Sequence, residues 1–177
     1  MNTNALIENL MDILKEAEIK IGYSEQPLSL YYPLDSLNHL LETNLAAEEM
    51  LHTLQDAFSS DNQPLGAVTV SVDDTRFCFR IPESGVSHVH HTRQNPFLEE
   101  FISLIRSTSC TIDDILAVFH RYSDRVAVEK IEGNEEFEYL IYFTDGIPDR
   151  FWYCIQLEHG HAVYHRFTEW DYRAFGF

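Results

Sequence analysis

The sequence predicts an α+β fold with mostly antiparallel sheet, and three observations carry that prediction. Apolar residues recur at helical spacing near the start of the chain, an alternating hairpin lies in its middle, and four alternating segments follow one another near its end. Helices and strands thus come in runs, whereas parallel α/β folds alternate them strictly. The 177 residues suffice for one sizeable core, so we expect a single domain over residues 1–177.

The first third of the chain is predicted to be mainly helical. One helix is indicated by five apolar residues at helical spacing, and Gly22 ends it. The five are Leu6, Leu10, Leu14, Ala17 and Ile21. The stretch "LSLYYPL" is predicted to be extended, because Pro33 disfavours helix at the residue before it. Asp35 is suited to cap a short helix through "SLNHLLE", and a further helix covers residues 45–58.

The middle of the chain predicts strands followed by two helices. "GAVTVSV" and "TRFCFRI" alternate and form a hairpin that turns at Asp73 and Asp74. Residues 86–90 are predicted as a third, short strand. Asn95 caps a helix that Pro96 opens, and "TIDD" supplies a capping box for the next helix.

The last third of the chain predicts a four-stranded antiparallel meander and a short C-terminal helix. The strands are "VAVEKI", "EFEYLIYF", "RFWYCIQLE" and "HAVYHRF". The turns between them are Gly133-Asn134, Asp145-Gly146 with Pro148, and His159-Gly160. "TEWD" opens the helix, which is predicted to end at Gly176.

Two pairs of segments resemble each other and suggest a weak internal αα-β repeat. "EEMLHTLQDAFSSD" resembles "DDILAVFHRYSD", and "RFCFRIPESGVSHVHH" resembles "RFWYCIQLEHGHAVYH" if one residue is inserted. The second alignment matches Gly85 with Gly160 and His90 with His165. The alternative is chance similarity between short segments.

Composition narrows the classes of function. The net charge is 12 − 29 = −17, which argues against nucleic-acid binding and is compatible with plain solubility or with a basic protein partner. No segment resembles a signal peptide or a membrane span, and three cysteines do not form a disulfide scaffold. We therefore expect a soluble cytoplasmic protein that binds neither nucleic acid nor membrane.

The last hairpin is the main candidate for a functional surface. A two-residue turn at residues 159–160 determines which side chains share a face. One face is apolar and is expected to meet the helices. The other face is mixed and consists of Trp152, Cys154, Gln156, Glu158, His161, Val163, His165 and Phe167. This mixed face is the candidate site.

Cys154 and His165 form the candidate catalytic pair on the mixed face. Opposite residues of a hairpin have β-carbons about 5 Å apart, and a histidinium beside a thiol makes the thiol more nucleophilic. The alternative is a buried cysteine that behaves as a small apolar residue. Trp152, Glu158, His161 and His165 are candidates for ligand or partner binding.

His88 and His90 are the candidate metal ligands. On a strand their side chains would lie on one side about 7 Å apart, which a zinc ion can bridge, with His165, His161 or Glu158 as a third ligand. His161 and His165 are about 13 Å apart on a strand, so these two cannot share an ion. The alternative is a structural or solvated group of histidines.

Arg76, Arg80 and Tyr32 complete the binding candidates. The two arginines are suited to hold a carboxylate or phosphate, or else to neutralise nearby acidic side chains. The tyrosine belongs to an aromatic stretch that either recognises a ligand or fixes a chain crossing. Sequence motifs of the common nucleotide-binding, hydrolase and zinc-site classes are absent from the sequence.

An ordered series of blocks resembles an uncharacterised bacterial family, domain of unknown function family 3877. The blocks are "LYYPLDSLNHLL", "RFCFRIP", "GVSHVHH", "TIDDILAVFHRYSD", "FEYLIYF", "FWYC" and "YHRFTEWDYRAFGF". The resemblance runs over nearly the whole chain and implies a single-domain cytoplasmic bacterial protein. The family has no established activity, so the resemblance assigns no catalytic residue.

These observations lead to a binding protein as the main functional hypothesis. We expect a ligand- or protein-binding domain without cofactor or assignable catalysis, and one version is an acidic immunity-type partner of a basic protein. The alternative is a metal- or cysteine-dependent hydrolase that uses His88 and His90 with zinc, or Cys154 and His165.

Overall fold

The computed structural model describes residues 2–59 and 63–174 of the chain. The helices are α1 (Thr3–Ile21), α2 (Leu34–Leu41), α3 (Ala47–Phe58), α4 (Glu83–Thr92), α5 (Pro96–Ile105), α6 (Ile112–Tyr122) and α7 (Glu169–Ala174). The strands are β1 (Leu28–Pro33), β2 (Thr69–Asp73), β3 (Arg76–Ile81), β4 (Val126–Lys130), β5 (Tyr139–Phe143), β6 (Trp152–Glu158) and β7 (His161–Phe167). The predicted α+β class with antiparallel sheets is confirmed.

The chain divides into two compact units, Met1–Gln94 and Asn95–Phe177. In the first unit, an antiparallel sheet has the strand order β1-β3-β2. The predicted extended stretch "LSLYYPL" contributes β1, which pairs with β3 along its whole length. The hairpin turns at Asp74 and Thr75, one residue later than predicted, because Asp73 pairs with Arg76.

The prediction of a third strand over residues 86–90 is wrong, because these residues lie in α4. Gly85 allows this helix to pack tightly, since a β-carbon there would lie 2.4 Å from the carbonyl oxygen of Leu65. Val86 and Val89 are three residues apart and therefore share one helix face, and Val89 is buried. Burial of that face outweighs the preference of valine for strands.

The second unit has the elements that the sequence predicts. Asn95 caps α5 by accepting a hydrogen bond from the amide of Leu98, and Thr111 and Asp114 form the capping box of α6. The sheet is a meander of order β4-β5-β6-β7. The predicted register of the last hairpin is confirmed, with the pairs Trp152–Phe167, Cys154–His165, Gln156–Val163 and Glu158–His161.

Two helix ends differ from the prediction or cannot be compared with it. Asp35 lies in the first turn of α2 and does not cap it, because the helix already begins at Leu34. In α7, Thr168 accepts a hydrogen bond from the amide of Asp171. The predicted end of that helix at Gly176 lies outside the described residues.

The suggested internal repeat fails in its second pair of segments. The alignment sets His90 against His165, but His90 lies in the helix α4 and His165 in the strand β7. No helix among the described residues combines the length and the apolar character needed to cross a membrane.

Candidate functional site

The mixed face of the last hairpin is closed to solvent at Trp152 and Cys154 and exposed toward the turn. Trp152 is 9% exposed and Cys154 is 0% exposed. The indole of Trp152 stacks on Tyr142 with ring centroids 4.2 Å apart, and Tyr172 of α7 lies 5.3 Å from it. These side chains belong to a small second core that also contains Phe137. Trp152 and Cys154 therefore lie inside a cluster of packed side chains and do not form an accessible site.

The chemistry expected of Cys154 depends on its thiolate, which burial disfavours. Burial raises the pKa of Cys154 to about 12, so the thiol is protonated at neutral pH. His165 lies opposite on β7 as predicted, but its exposed ring contacts Phe137 and Phe167 at centroid distances of 5.3 and 5.9 Å. The cysteine behaves as a small apolar residue, which is the alternative that the sequence left open.

Glu158 and His161 flank the turn between β6 and β7 and are exposed. His159 and Gly160 both have positive φ, 51° and 79°, which is typical of the tight turns that join two strands. Both flanking residues therefore stay binding candidates at the tip of the hairpin.

His88 and His90 do not have the geometry on which the metal hypothesis depends. They lie in α4, where two residues correspond to a rotation of about 200°, so the two side chains lie on nearly opposite sides of the helix. Within the described residues, no group of three or more His, Cys, Asp or Glu side chains is arranged to hold a metal ion. The prediction that His88 and His90 bind one metal ion from the same side of a strand is therefore wrong.

Arg76 and Arg80 lie on one exposed face of β3, as their spacing predicts. The guanidinium of Arg76 lies 5.1 Å from the ring centroid of Tyr31. The next tyrosine, Tyr32, is buried, and its hydroxyl donates a 2.6 Å hydrogen bond to Asn9. Tyr32 thus connects β1 to α1, whereas the two arginines stay candidates for binding an anion.

A cavity of about 180 Å³ in the first unit lies at the C-terminal end of α1. Its wall is mostly apolar and includes Leu14 of α1, Leu28 of β1, and Val86 and Val89 of α4. Residues of the loop 22–27, which follows α1, complete the wall. An apolar cavity with a few polar groups at its edge is the usual form of a small-molecule site.

Glu18 is the charged group in the wall of this cavity. Lys15 donates a 2.9 Å hydrogen bond to its Oε1, and His90 Nδ1 lies 3.1 Å from the same oxygen. Burial opposes ionisation of Glu18, but the hydrogen bonds from Lys15 and His90 outweigh it and lower the pKa of the carboxyl. The carboxylate is therefore present at neutral pH.

Considered only for the stability of α1, the position of Glu18 is unfavourable. It lies in the last turn of α1, where the helix dipole disfavours a negative charge. His90 also stacks on Tyr23 of the loop, with ring centroids 3.8 Å apart and planes 14° apart. Glu18, Tyr23 and His90 thus form a polar cluster, called here the α1 cluster, at the edge of an apolar cavity.

The sequence pattern identifies one member of this site, His90, and gives it a different role. Glu18 and His90 are 72 positions apart, and their contact depends on how α1 packs on α4. Gly22 indicates the end of the helix, but not that the following loop lines a cavity. Periodicity predicts which residues share a face, and not which two elements leave a space between them.

Fold and site together define an α+β protein with a small ligand-sized cavity beside its first helix. The chain belongs to the family described as "Domain of unknown function, E. rectale Gene description" (DUF3877), whose model matches residues 3–176. This confirms the resemblance of its sequence blocks. No curated protein matches the chain, and no solved structure matches it.

Proposed function

We propose that the chain is a binding protein whose ligand is a small, largely apolar molecule held in the cavity beside α1. The observation that carries the proposal is the cavity of about 180 Å³, whose mostly apolar wall carries the α1 cluster at its edge. An apolar cavity of about 150 Å³ holds benzene in a protein core, so the volume suits a ligand with one small ring or a short chain. The proposed binding site therefore lies in the first unit and not on the last hairpin.

Burial of Cys154 supports binding over the alternative of hydrolysis. A cysteine hydrolase needs an accessible thiolate, and the pKa of this thiol is about 12. The metal-dependent version depends on His88 and His90 sharing an ion on a strand, and these residues are helical. The metal version has thus lost the geometry that motivated it, whereas the cysteine version keeps its pairing with His165 but lacks an accessible thiolate.

The experiment uses benzyl alcohol as the probe and thermal unfolding as the readout. A ligand that binds the folded state raises the melting temperature in a saturable way. Val86→Phe places a ring in the cavity, and we expect it to abolish the benzyl alcohol effect. Val163→Phe is the matched control, because Val163 is 58% exposed and lies in the second unit.

Circular dichroism checks that both variants keep the wild-type secondary structure, and Val86→Met provides a milder filling of the cavity. A saturable shift that Val86→Phe and Val86→Met remove and Val163→Phe retains supports the proposal. A shift that is absent in the wild type, or that survives the filling of the cavity, contradicts it.

A basic protein partner is a second proposal, and it is supported by charge. The net charge is −17, and the connection between β4 and β5 exposes three carboxylates, Glu132, Glu135 and Glu136. Opposite charges accelerate association and favour the matching partner. An immunity-type role predicts a basic toxin encoded beside this gene, with a complex that weakens as salt rises. A neighbouring product that is not basic, or that does not bind, contradicts this second proposal.

A further inference from the structure

Glu18 is the charged side chain among the described residues that line the cavity. Its side chain is 17% exposed, so its surroundings have a lower effective dielectric than water. A ligand that enters the cavity has to meet this carboxylate. The chemistry of its head group is therefore constrained by one negative charge.

Both hydrogen bonds that described side chains donate to Glu18 reach the same oxygen. The ammonium of Lys15 and Nδ1 of His90 lie 2.9 and 3.1 Å from Oε1. A carboxylate has about four acceptor positions on its two oxygens, so acceptor capacity remains on Oε2. A ligand with an N–H or O–H group can use that capacity, and a ligand with a carboxylate cannot.

The two nitrogen-bearing side chains beside Glu18, Lys15 and His90, do not offer an alternative site for an anion. Lys15 does not line the cavity, its side chain is 8% exposed, and its ammonium already pairs with Glu18. His90 directs Nδ1 to Glu18 and stacks its ring face on Tyr23. An anionic head group would therefore meet the charge of Glu18 without a cation in the cavity wall.

We infer that the ligand of this cavity is an apolar molecule with a hydrogen-bond-donating head group, a hydroxyl or an ammonium, and that apolar carboxylates are excluded. The inference rests on the proposed function and adds the chemical class of the ligand. Two carboxylates placed together in a poorly solvated site repel each other, whereas a hydrogen-bond donor to a charged acceptor is favourable.

The test compares four probes that share one aromatic ring, benzyl alcohol, benzylamine, toluene and benzoate, by isothermal titration calorimetry at pH 7. We expect benzyl alcohol or benzylamine to bind about tenfold or more tightly than benzoate, with toluene between them. The better of the two donors identifies the head group as hydroxyl or ammonium. Benzoate that binds the wild type as tightly as benzyl alcohol overturns the inference.

Glu18→Gln removes the charge and keeps the size of the side chain. We expect this variant to reduce the preference for benzyl alcohol over benzoate to about threefold or less. Glu25→Gln is the matched control, because Glu25 is an exposed glutamate of the loop after α1 that does not line the cavity. A preference that survives Glu18→Gln overturns the inference.

The ranking of probes on the wild type does not depend on the folding of any variant. If none of the four probes binds in a manner that Val86→Phe abolishes, the proposed function itself is contradicted. If all four bind equally and Val86→Phe abolishes each, the cavity binds ligands and only the head-group inference fails.

Discussion

His90 of α4 lies with Nδ1 3.1 Å from Oε1 of Glu18 in α1, and the same imidazole stacks on Tyr23 at 3.8 Å. Because a carboxylate only accepts hydrogen bonds, Nδ1 of His90 is the donor. One side chain thus joins the end of α1, the following loop and α4. These three segments contribute residues to the wall of the cavity.

Replacing His90 with alanine removes both the stack on Tyr23 and the hydrogen bond to Glu18. We expect the free energy of unfolding to fall by about 1–2 kcal/mol, as is typical of one aromatic contact and one hydrogen bond to a charged group. Urea denaturation followed by circular dichroism measures it. His88→Ala is the matched control, because its side chain points about 200° away on the same helix. Equal losses in the two variants would show that the α1 cluster adds nothing.

Glu18 predicts a dependence of stability on pH. Its pKa is lowered in the folded protein from an ordinary value of 4.5, so folding favours the ionised form. The contribution to stability is complete above pH 4.5 and is lost as the pH falls through the folded pKa. We expect Glu18→Gln to be less stable than the wild type at pH 7, with the difference shrinking toward pH 3.

Urea midpoints at pH 7, 5, 4 and 3 measure this dependence for the wild type, Glu18→Gln and Glu25→Gln. The comparison between variants separates Glu18 from the other carboxylates that titrate in the same range. A difference between wild type and Glu18→Gln that stays constant from pH 7 to pH 3 is the contrary result.

Cys154 is expected to resist thiol reagents in the native protein. Burial raises its pKa to about 12 and also blocks access, whereas Cys78 is partly exposed. We expect iodoacetamide to modify Cys154 at least about tenfold more slowly than Cys78 at pH 8. Mass spectrometry of digested protein measures both rates, and urea-unfolded protein provides the control in which the rates become similar. If Cys154 in the folded protein reacted as fast as Cys78, the result would contradict this prediction and support the hypothesis of an active thiol.

Asp149 and Arg166 form a buried ion pair in the second unit, at 2.8 Å and with side chains 2% and 3% exposed. The same carboxylate accepts hydrogen bonds from Tyr153 and Asn95 at 2.9 and 3.2 Å. Asp149→Ala leaves a buried guanidinium without this carboxylate, which is expected to cost about 3–5 kcal/mol.

Chemical denaturation measures the loss of stability in Asp149→Ala. Asp124→Ala is the control, because Asp124 is exposed in the same unit, and its cost is expected to stay within about 0.5 kcal/mol. A loss below about 1 kcal/mol for Asp149→Ala would mean that the pair contributes little to folding.

The sequence predicts the last hairpin closely because its determinants are local. A tight turn at His159-Gly160 and the two-residue period of a strand determine the whole register from Trp152 to Phe167. The predicted helix caps at Asn95 and Thr111 are confirmed for the same reason, because each depends on a residue only three positions away.

Features that depend on packing between segments far apart in the chain are harder to predict from the sequence. Val86 and Val89 favour a strand by composition. Packing of buried Val89 and partly buried Val86 on the core of the first unit, together with the close approach that Gly85 allows, makes the segment helical. Trp152 and Cys154 lie on the predicted face, but the ring of Tyr172 in α7 packs on Trp152 and that end of the face is closed. The cavity itself has no pattern in the sequence.

The central claim, that the cavity beside α1 binds a small apolar molecule, is tested most directly by nuclear magnetic resonance of ¹³C-labelled methyl groups during titration with benzyl alcohol. The account predicts saturable shifts with one dissociation constant at Leu14, Val86 and Val89, and none at exposed Val163. Shifts that do not saturate, or that occur at Val163 and not at Leu14, Val86 and Val89, would contradict it.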